Sequence, residues 1–186
     1  GICSAGALTV YLEQTHHAGL ANICSISRID CGSFVWMDRF TVRNLEVFSA
    51  SAGGEGVSLV DVIDKCSSPM GSRLLRTWLA MPSLDIDEIR SRHDIVEDFC
   101  RDRERLDNLQ MRLGDIGDLD RILSRAATGK IQPREILQLG RGLSQIGPIR
   151  DITLGSGQCC NALSALVGGI EDCSALLEDI RRTWLF

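Results

Sequence analysis

Residues 67–82 constrain this chain more tightly than any other stretch, because both ends of a helix are written into them. Ser68 can accept a hydrogen bond from an unpaired N–H at the helix start, and Pro69 suits the first helical position, where no N–H is needed. Leu74, Leu75, Trp78 and Leu79 recur at helical spacing and form an apolar face. Pro82 stops continuation, since it lacks an N–H and its ring clashes with the turn before it. Arg73 and Arg76 flank the face, where they can reach carboxylates on neighbouring elements. None of these residues forms a catalytic arrangement, so the segment is predicted to pack and to hold position.

The rest of the chain is also mainly α by pattern. A first helix is expected over about 3–16, with Leu8, Tyr11 and Leu12 as its buried stripe and Gly19 ending it. Adjacent His16 and His17 point to different helix faces, which argues against a shared metal. Residues 22–48 change character. Phe34, Val35, Trp36 and Met37 are apolar on both parities, and Phe40, Val42 and Val47 continue β-favouring chemistry. Turn residues at 30–33 complete the expectation of a β-hairpin or small antiparallel sheet. A Ser/Ala/Gly-rich connector at 49–56 lacks the Gly-Lys-Ser/Thr ending of a phosphate loop.

A helical body follows over 58–154. Ser58 with Asp61, and Asp85 with Glu88, are capping-box pairs. Ile89, His93, Val96 and Cys100 form a candidate core stripe, with Ile86 and Phe99 at its margins. Gly117 and Asp118 restart a helix that Gly129 can close. Pro133 opens the next, and Gly147 with Pro148 ends or kinks it. After a Gly-rich link, Leu163, Leu166, Ile170, Cys173, Leu177, Ile180 and Trp184 alternate three and four apart over 159–184, a heptad seam. It fits one long helix or two. Gly168 and Gly169, each costing up to about 1 kcal/mol inside a helix, favour a break.

With 186 residues, 44% hydrophobic and 24% charged, the chain suits one domain with a core. Its net charge of −5 is unlike the basic footprint of a stand-alone nucleic-acid binder. Arg101, Arg103 and Arg105 cluster, yet Asp98, Asp102, Glu104 and Asp107 interleave with them. Eighteen of the twenty basic residues are arginine, which suits bidentate carboxylate pairing better than lysine does. The eight cysteines show no Cys-x-x-Cys and no zinc-ligand spacing with histidine. They read as reduced, mostly buried thiols of a cytoplasmic protein. No run of about 18 apolar residues offers a membrane span. Starting without methionine and ending on an apolar residue, the chain reads as a piece of a larger protein.

Several ordered motifs carry a family resemblance. Pro69, Met70, Gly71, Arg73, Leu74, Leu75, Arg76, Trp78 and Leu79 follow Asp38, Arg43, Asn44 and Leu45. Residues 5–15 form an opening helix, and Ser58, Leu59 and Asp64 precede the Pro-Met-Gly turn. Ile89, Arg92, Val96 and Glu97 come next. Asp118, Leu119, Asp120, Arg121 and Ile122 follow, then Arg125, Pro133 and Arg134. Together they resemble the core, or lever, domain of MutS-type DNA mismatch repair proteins over about residues 5–143. Ser83 stands where Leu is usual, and Asp120 where Glu is commoner.

The resemblance implies that residues 1–186 are the N-terminal part of that core, ending before the DNA-gripping clamp. It implies a non-catalytic structural and allosteric role, linking mismatch binding to a distant ATPase domain. ATP, magnesium, mismatched double-stranded DNA and a homodimeric assembly would belong to the parent protein, which also supplies the other domains that this part contacts. Two other classes stand beside it. One is an independent helical interaction module that uses the C-terminal stripe. The other is an enzyme, for which no acid–base pair, nucleophile–histidine arrangement or phosphate loop is recognisable. With its arginines interleaved by carboxylates, the chain titrated with duplex DNA at low salt is expected to bind weakly; tight binding with a steep salt slope would overturn that expectation.

Overall fold

Side-chain caps open most of the helices. The computed structural model describes residues 2–16, 25, 32–50, 56–155 and 159–184, the side chains of His16 and Trp184 excepted. In chain order the helices are α1 (Ile2–His16), α2 (Arg39–Asn44), α3 (Leu59–Ile63), α4 (Pro69–Ala80), α5 (Ile86–Arg101) and α6 (Arg103–Ile116). Then come α7 (Leu119–Ala127), α8 (Pro133–Ser144), α9 (Ile146–Leu154), α10 (Asn161–Gly168) and α11 (Ser174–Trp184). The molecule is mainly helical, as the pattern predicts.

The expected caps are in place, except that the box between Asp85 and Glu88 is only half formed: Ser83 Oγ takes the Asp85 N–H, and the Glu88 carboxylate turns to Ser83 and Arg92. Ser58 and Asp61 form a reciprocal capping box on α3, and Ser68 caps α4 with Pro69 in its first turn. Asp85 caps α5 by accepting from the N–H groups of Asp87 and Glu88. Asp102 separates α5 from α6, and its carboxylate accepts from the Arg105 N–H. Glu135 completes a capping box with Gln132 as Pro133 opens α8. Pro148 does not end that helix. The break falls at Gln145, and Pro148 lies in the first turn of α9, where its missing N–H costs little.

The expected sheet over 22–48 is not formed among the described residues. Asp38 instead caps a helical turn, its carboxylate accepting from the Thr41 N–H at 2.6 Å, so Phe40 and Val42 lie in α2. The local cap outweighs β-propensity, which is a weak preference without a cross-strand neighbour. Strand pairing survives as one isolated antiparallel bridge between Phe34 and Ser83. The Val35 N–H donates to the Pro82 carbonyl at 2.8 Å, and the Leu84 N–H donates to the Ser33 carbonyl at 3.0 Å. The partner of this apolar segment is therefore the chain just after α4. The turn expected at 30–33 falls partly outside the described residues, as do Gly19, His17 and most of 49–56.

Helix α8 is the hub of the body. It lies against α6, α7, α9 and α11, while α10 bridges α5 and α9. Ile122, Leu139, Leu143 and Ile180 form the central cluster, with Cys173 and Leu177 packed on it. The heptad seam thus belongs to two helices, broken after Gly168, and Leu177 and Ile180 of α11 are consumed inside this fold. A smaller cluster joins residues 46–47 to α3, where Val60 and Ser58 are fully buried and Val47 nearly so.

Three expected burials fail. Leu8 and Tyr11 on α1 are exposed. On α5 the inner face runs through Ile89, Arg92, Ile95 and Phe99, leaving His93 and Cys100 exposed and Val96 at 60% exposure. Both stripes satisfy helical spacing, and polar contacts made by Arg92 and Asp98 select the second. Among the described residues the thiols are not mostly buried: Cys3, Cys66 and Cys100 are exposed, and Cys159, Cys160 and Cys173 half-buried, all six free; Cys24 and Cys31 lie outside the described residues.

Close approach at α8 depends on one missing side chain. A Cβ on Gly142 would stand 2.6 Å from the Ile116 carbonyl oxygen and 2.9 Å from Leu119 Cδ2. Gly142→Ala should therefore cost about 1–3 kcal/mol in urea unfolding, by overpacking against backbone that cannot yield. Gly168→Ala, which has open space around it, should be neutral or slightly stabilising in the same assay.

Candidate functional site

Most of the sequence-predicted site residues converge where α4 meets the α6–α7 corner and α5. The start of α4 is organised first. Ser68 Oγ accepts from the Gly71 N–H at 3.2 Å. Asp64 Oδ1 accepts from the Cys66 N–H at 3.1 Å and from Ser72 Oγ at 3.1 Å. The Cys66 N–H and the Ser72 hydroxyl hold the Asp64 carboxyl below its ordinary range, against a smaller opposing effect of burial. A Cβ at Gly71 would lie 3.3 Å from Cys66 Cβ, a close contact that Cys66 would relieve only by shifting a few tenths of an ångström. Met70 and Leu75 are half-buried beside it. Arg76 is exposed, and its charge helps to lower both Asp61 and Asp64.

One turn along α4, Arg73 makes the long-range tie. Its Nη1 donates to Asp118 Oδ2 at 2.9 Å and its Nη2 to Asp118 Oδ1 at 2.7 Å. Nη2 also reaches Asp120 Oδ2 at 3.0 Å. This is the planar fork that guanidinium offers and ammonium lacks. Asp118 is simultaneously the cap of α7, accepting from the Arg121 N–H at 3.2 Å. The Arg73 bonds, then the Arg121 N–H, pull the Asp118 carboxyl below its ordinary range, while partial burial opposes them. The same pairing raises Arg73 further above its already high value.

Two turns along, Trp78 receives Arg92 of α5, whose guanidinium carbon stands 3.8 Å from the ring centroid. At a partly exposed site such a stack is worth about 0.5–1 kcal/mol. Arg92 also pairs with Glu88, and Glu88 accepts from the Ser83 hydroxyl. Ser83 Oγ in turn accepts from the Asp85 N–H at 3.2 Å. Ser83 and Asp120 are thus both hydrogen-bonded into this network.

The remaining predicted residues stand apart. Asp38 caps α2, and Arg43, Asn44 and Leu45 are exposed at its end, with no hydrogen bond or ion pair to α4 among the described residues. The apolar face of α4 is half-covered: Leu74 is 50% and Trp78 40% exposed. Met81 and Leu84, just beyond the end of α4, are exposed as well.

Sequence reasoning missed one tie altogether. Asp98 Oδ2 accepts from Arg105 Nη2 at 2.7 Å, with both side chains nearly buried and the guanidinium beside Phe99. The pair spans the break at Asp102, so no regular helix spacing announces it. It also turns Arg105 inward, while Arg101 pairs with Glu97. No continuous arginine track remains there. Gly129 and Lys130 close α7 and are followed by Ile131, so they cannot supply the hydroxyl a nucleotide loop needs for magnesium. Among the described residues no group of three His, Cys, Asp or Glu side chains could hold a metal, and no helix is long and apolar enough to cross a membrane.

Comparison with known proteins bears on the same residues. The family described as MutS domain III matches residues 40–183. The DNA mismatch repair protein MutS of Flavobacterium johnsoniae is 43% identical over 183 residues, covering 98% of this chain and 21% of that protein. The protein of that name from Parabacteroides distasonis is 44% identical over 158 residues, covering 85% of this chain and 18% of its own length. That from Porphyromonas gingivalis is 38% identical over 181 residues, covering 97% and 20%. The chain therefore spans about a fifth of the length of the curated relatives it matches.

The lowered Asp118 carboxyl makes the tie pH-dependent. A group whose value is depressed in the fold stabilises it above the unfolded value of about 4, and that contribution is lost as pH falls through the folded value. Urea unfolding of the wild type and Asp118→Asn should show a stability gap at pH 7 that narrows toward pH 3. A gap of constant size would mean that the carboxylate charge is not what Arg73 uses.

Proposed function

This chain belongs to the MutS family of DNA mismatch repair proteins, and we propose that it transmits position between the parts of such a protein that engage DNA and hydrolyse ATP. The Arg73–Asp118 fork carries this reading. It fastens the helix bearing the half-exposed apolar face to the cap of α7, 45 residues further along the chain. Because α7 packs on the hub helix α8, a displacement of α4 is delivered to the core through a directional contact.

The magnitudes are compatible with that role. Coupling between sites is typically about 1–3 kcal/mol. The Trp78–Arg92 stack, at about 0.5–1 kcal/mol, reaches only the lower end of that range, so the stack has to act together with the Arg73 fork to bias a two-state element. The half-covered face of Leu74 and Trp78, with the exposed Met81 and Leu84 beyond the end of α4, offers a seat for the remaining four-fifths of a protein the size of the relatives. On this reading the parent protein binds mismatched duplex DNA, hydrolyses ATP with magnesium and works as a dimer. The present chain does no chemistry itself. Its residues lack the phosphate loop and paired acid–base groups that catalysis would need.

The test uses the intact parent protein carrying Leu75→Ala or Trp78→Ala. DNA stimulation of ATP hydrolysis should fall about 5-fold or more, with nucleotide affinity and the thermal midpoint little changed. Parallel loss of stimulation, nucleotide binding and thermal stability would point to misfolding and remove the coupling role.

A further inference from the structure

The joint between α5 and α6 is fastened by a contact that is only half made. Asp102 lies outside both helices, as the end cap of one and the start cap of the other. Among the described residues, Asp98 and Arg105 supply the one side-chain hydrogen bond between these helices, from Nη2 to Oδ2 at 2.7 Å. The Arg105 and Asp98 side chains are 10% and 13% exposed. Yet Arg105 Nε is buried and donates to no described residue. Arg73 closes a full fork on Asp118, whereas Arg105 leaves a buried donor unused, which folded proteins seldom do.

Room and other acceptors lie beside this guanidinium. Arg105 lines a cavity of about 260 Å³ together with Asp102, Asn108 and Gly155. A Cβ on Gly155 would crowd Arg105 Nη1 at 3.1 Å. Asp102 and Asn108 stand three residues before and after Arg105, within side-chain reach on one side of the helix. Asp102 Oδ1 holds the Arg105 N–H at 3.0 Å, while its Oδ2 makes no hydrogen bond among the described residues. The half-buried Asn108 amide makes none either.

We propose that Arg105 is a two-position latch. In the position seen here it reaches Asp98 and fastens α5 to α6. In the other, the guanidinium turns into the cavity, bonds the Asp102 carboxylate and the Asn108 amide oxygen, and lets the helices pivot at residue 102. Both positions keep the cation beside a carboxylate, so the exchange never strands a bare charge. Asp98 keeps a partner as well, because its Oδ2 also accepts from the Cys160 N–H at 3.5 Å. One non-helical residue bearing few cross-bonds is what a hinge requires. The latch sits between the Arg92 stack on α5 and the contacts of α6 with α8 and α9.

Amide hydrogen exchange of the intact parent protein, without DNA or nucleotide, tests the latch separately from the coupling role. Asn108→Asp strengthens the second seat and leaves the Asp98 pair in place. It should speed exchange over residues 102–106 about fivefold or more, with peptides of α8 and α11 unchanged. Asp98→Asn weakens the first seat and should act in the same direction. Arg105→Gln removes the latch, so Arg105→Gln/Asn108→Asp should exchange like Arg105→Gln alone. An unchanged joint in Asn108→Asp, or an equal effect of Asn108→Asp without Arg105, would overturn the proposal. So would faster exchange spread evenly through α8 and α11, which marks general loss of stability.

Discussion

The α6–α7 corner can sit against α8 only because residue 142 has no side chain. Gly142 lets the hub helix approach the Ile116 carbonyl to a distance at which a Cβ would collide. Gly117, at φ +75°, turns the chain immediately afterwards. Asp118 follows in the next position and caps α7. Three consecutive functions (approach, turn, cap) therefore fall within a few residues, and the Arg73 fork closes on that same cap. The central cluster of Ile122, Leu139, Leu143 and Ile180 lies directly behind this corner. Moving the corner would open the cluster, so packing and the long-range ion pair depend on one another.

Arginine does most of the joining between helices. Arg73 spans α4 and α7 with a fork, and Arg92 reaches from α5 onto the Trp78 face. Arg105 bonds Asp98 across the α5–α6 break, and Arg125 crosses from α7 to Glu135 of α8. Arg73 uses the planar fork, and Arg92 and Arg105 the delocalised face, of guanidinium, which a lysine ammonium does not have. The near-exclusion of lysine from the sequence thus has a structural counterpart here.

The two candidate surfaces have opposite character. The α4 face is apolar and half-covered, with cation–π and hydrogen-bonded residues at its edge. The surface between α6, α7 and α8 is charged instead, with Arg121, Arg134 and Arg141 beside Asp115, Asp118 and Glu135. Asp118 belongs to both, since it also receives the Arg73 fork.

Local chemistry made much of this legible in the sequence. The cap at Ser68, the box at Ser58, the restart at Asp118 and the break after Gly168 each depend on a few neighbouring residues, so they could be read one element at a time. The motif residues at 69–78, 92 and 118 meet at one junction in the structure, although nothing local said that Arg73 would choose Asp118. Helix rotation was not legible: on α5, two stripes fit the same spacing, and only Trp78 and Arg105 decide which one faces inward. The sheet expected near residue 40 failed for a similar reason, because β-propensity needs a partner strand and the Asp38 cap does not need one. What the sequence determined by itself was where helices begin and end, since those hydrogen bonds close within a turn. Which faces meet, and which charges pair across 45 residues, only the tertiary structure decided, because those energies exist only once distant elements share a surface.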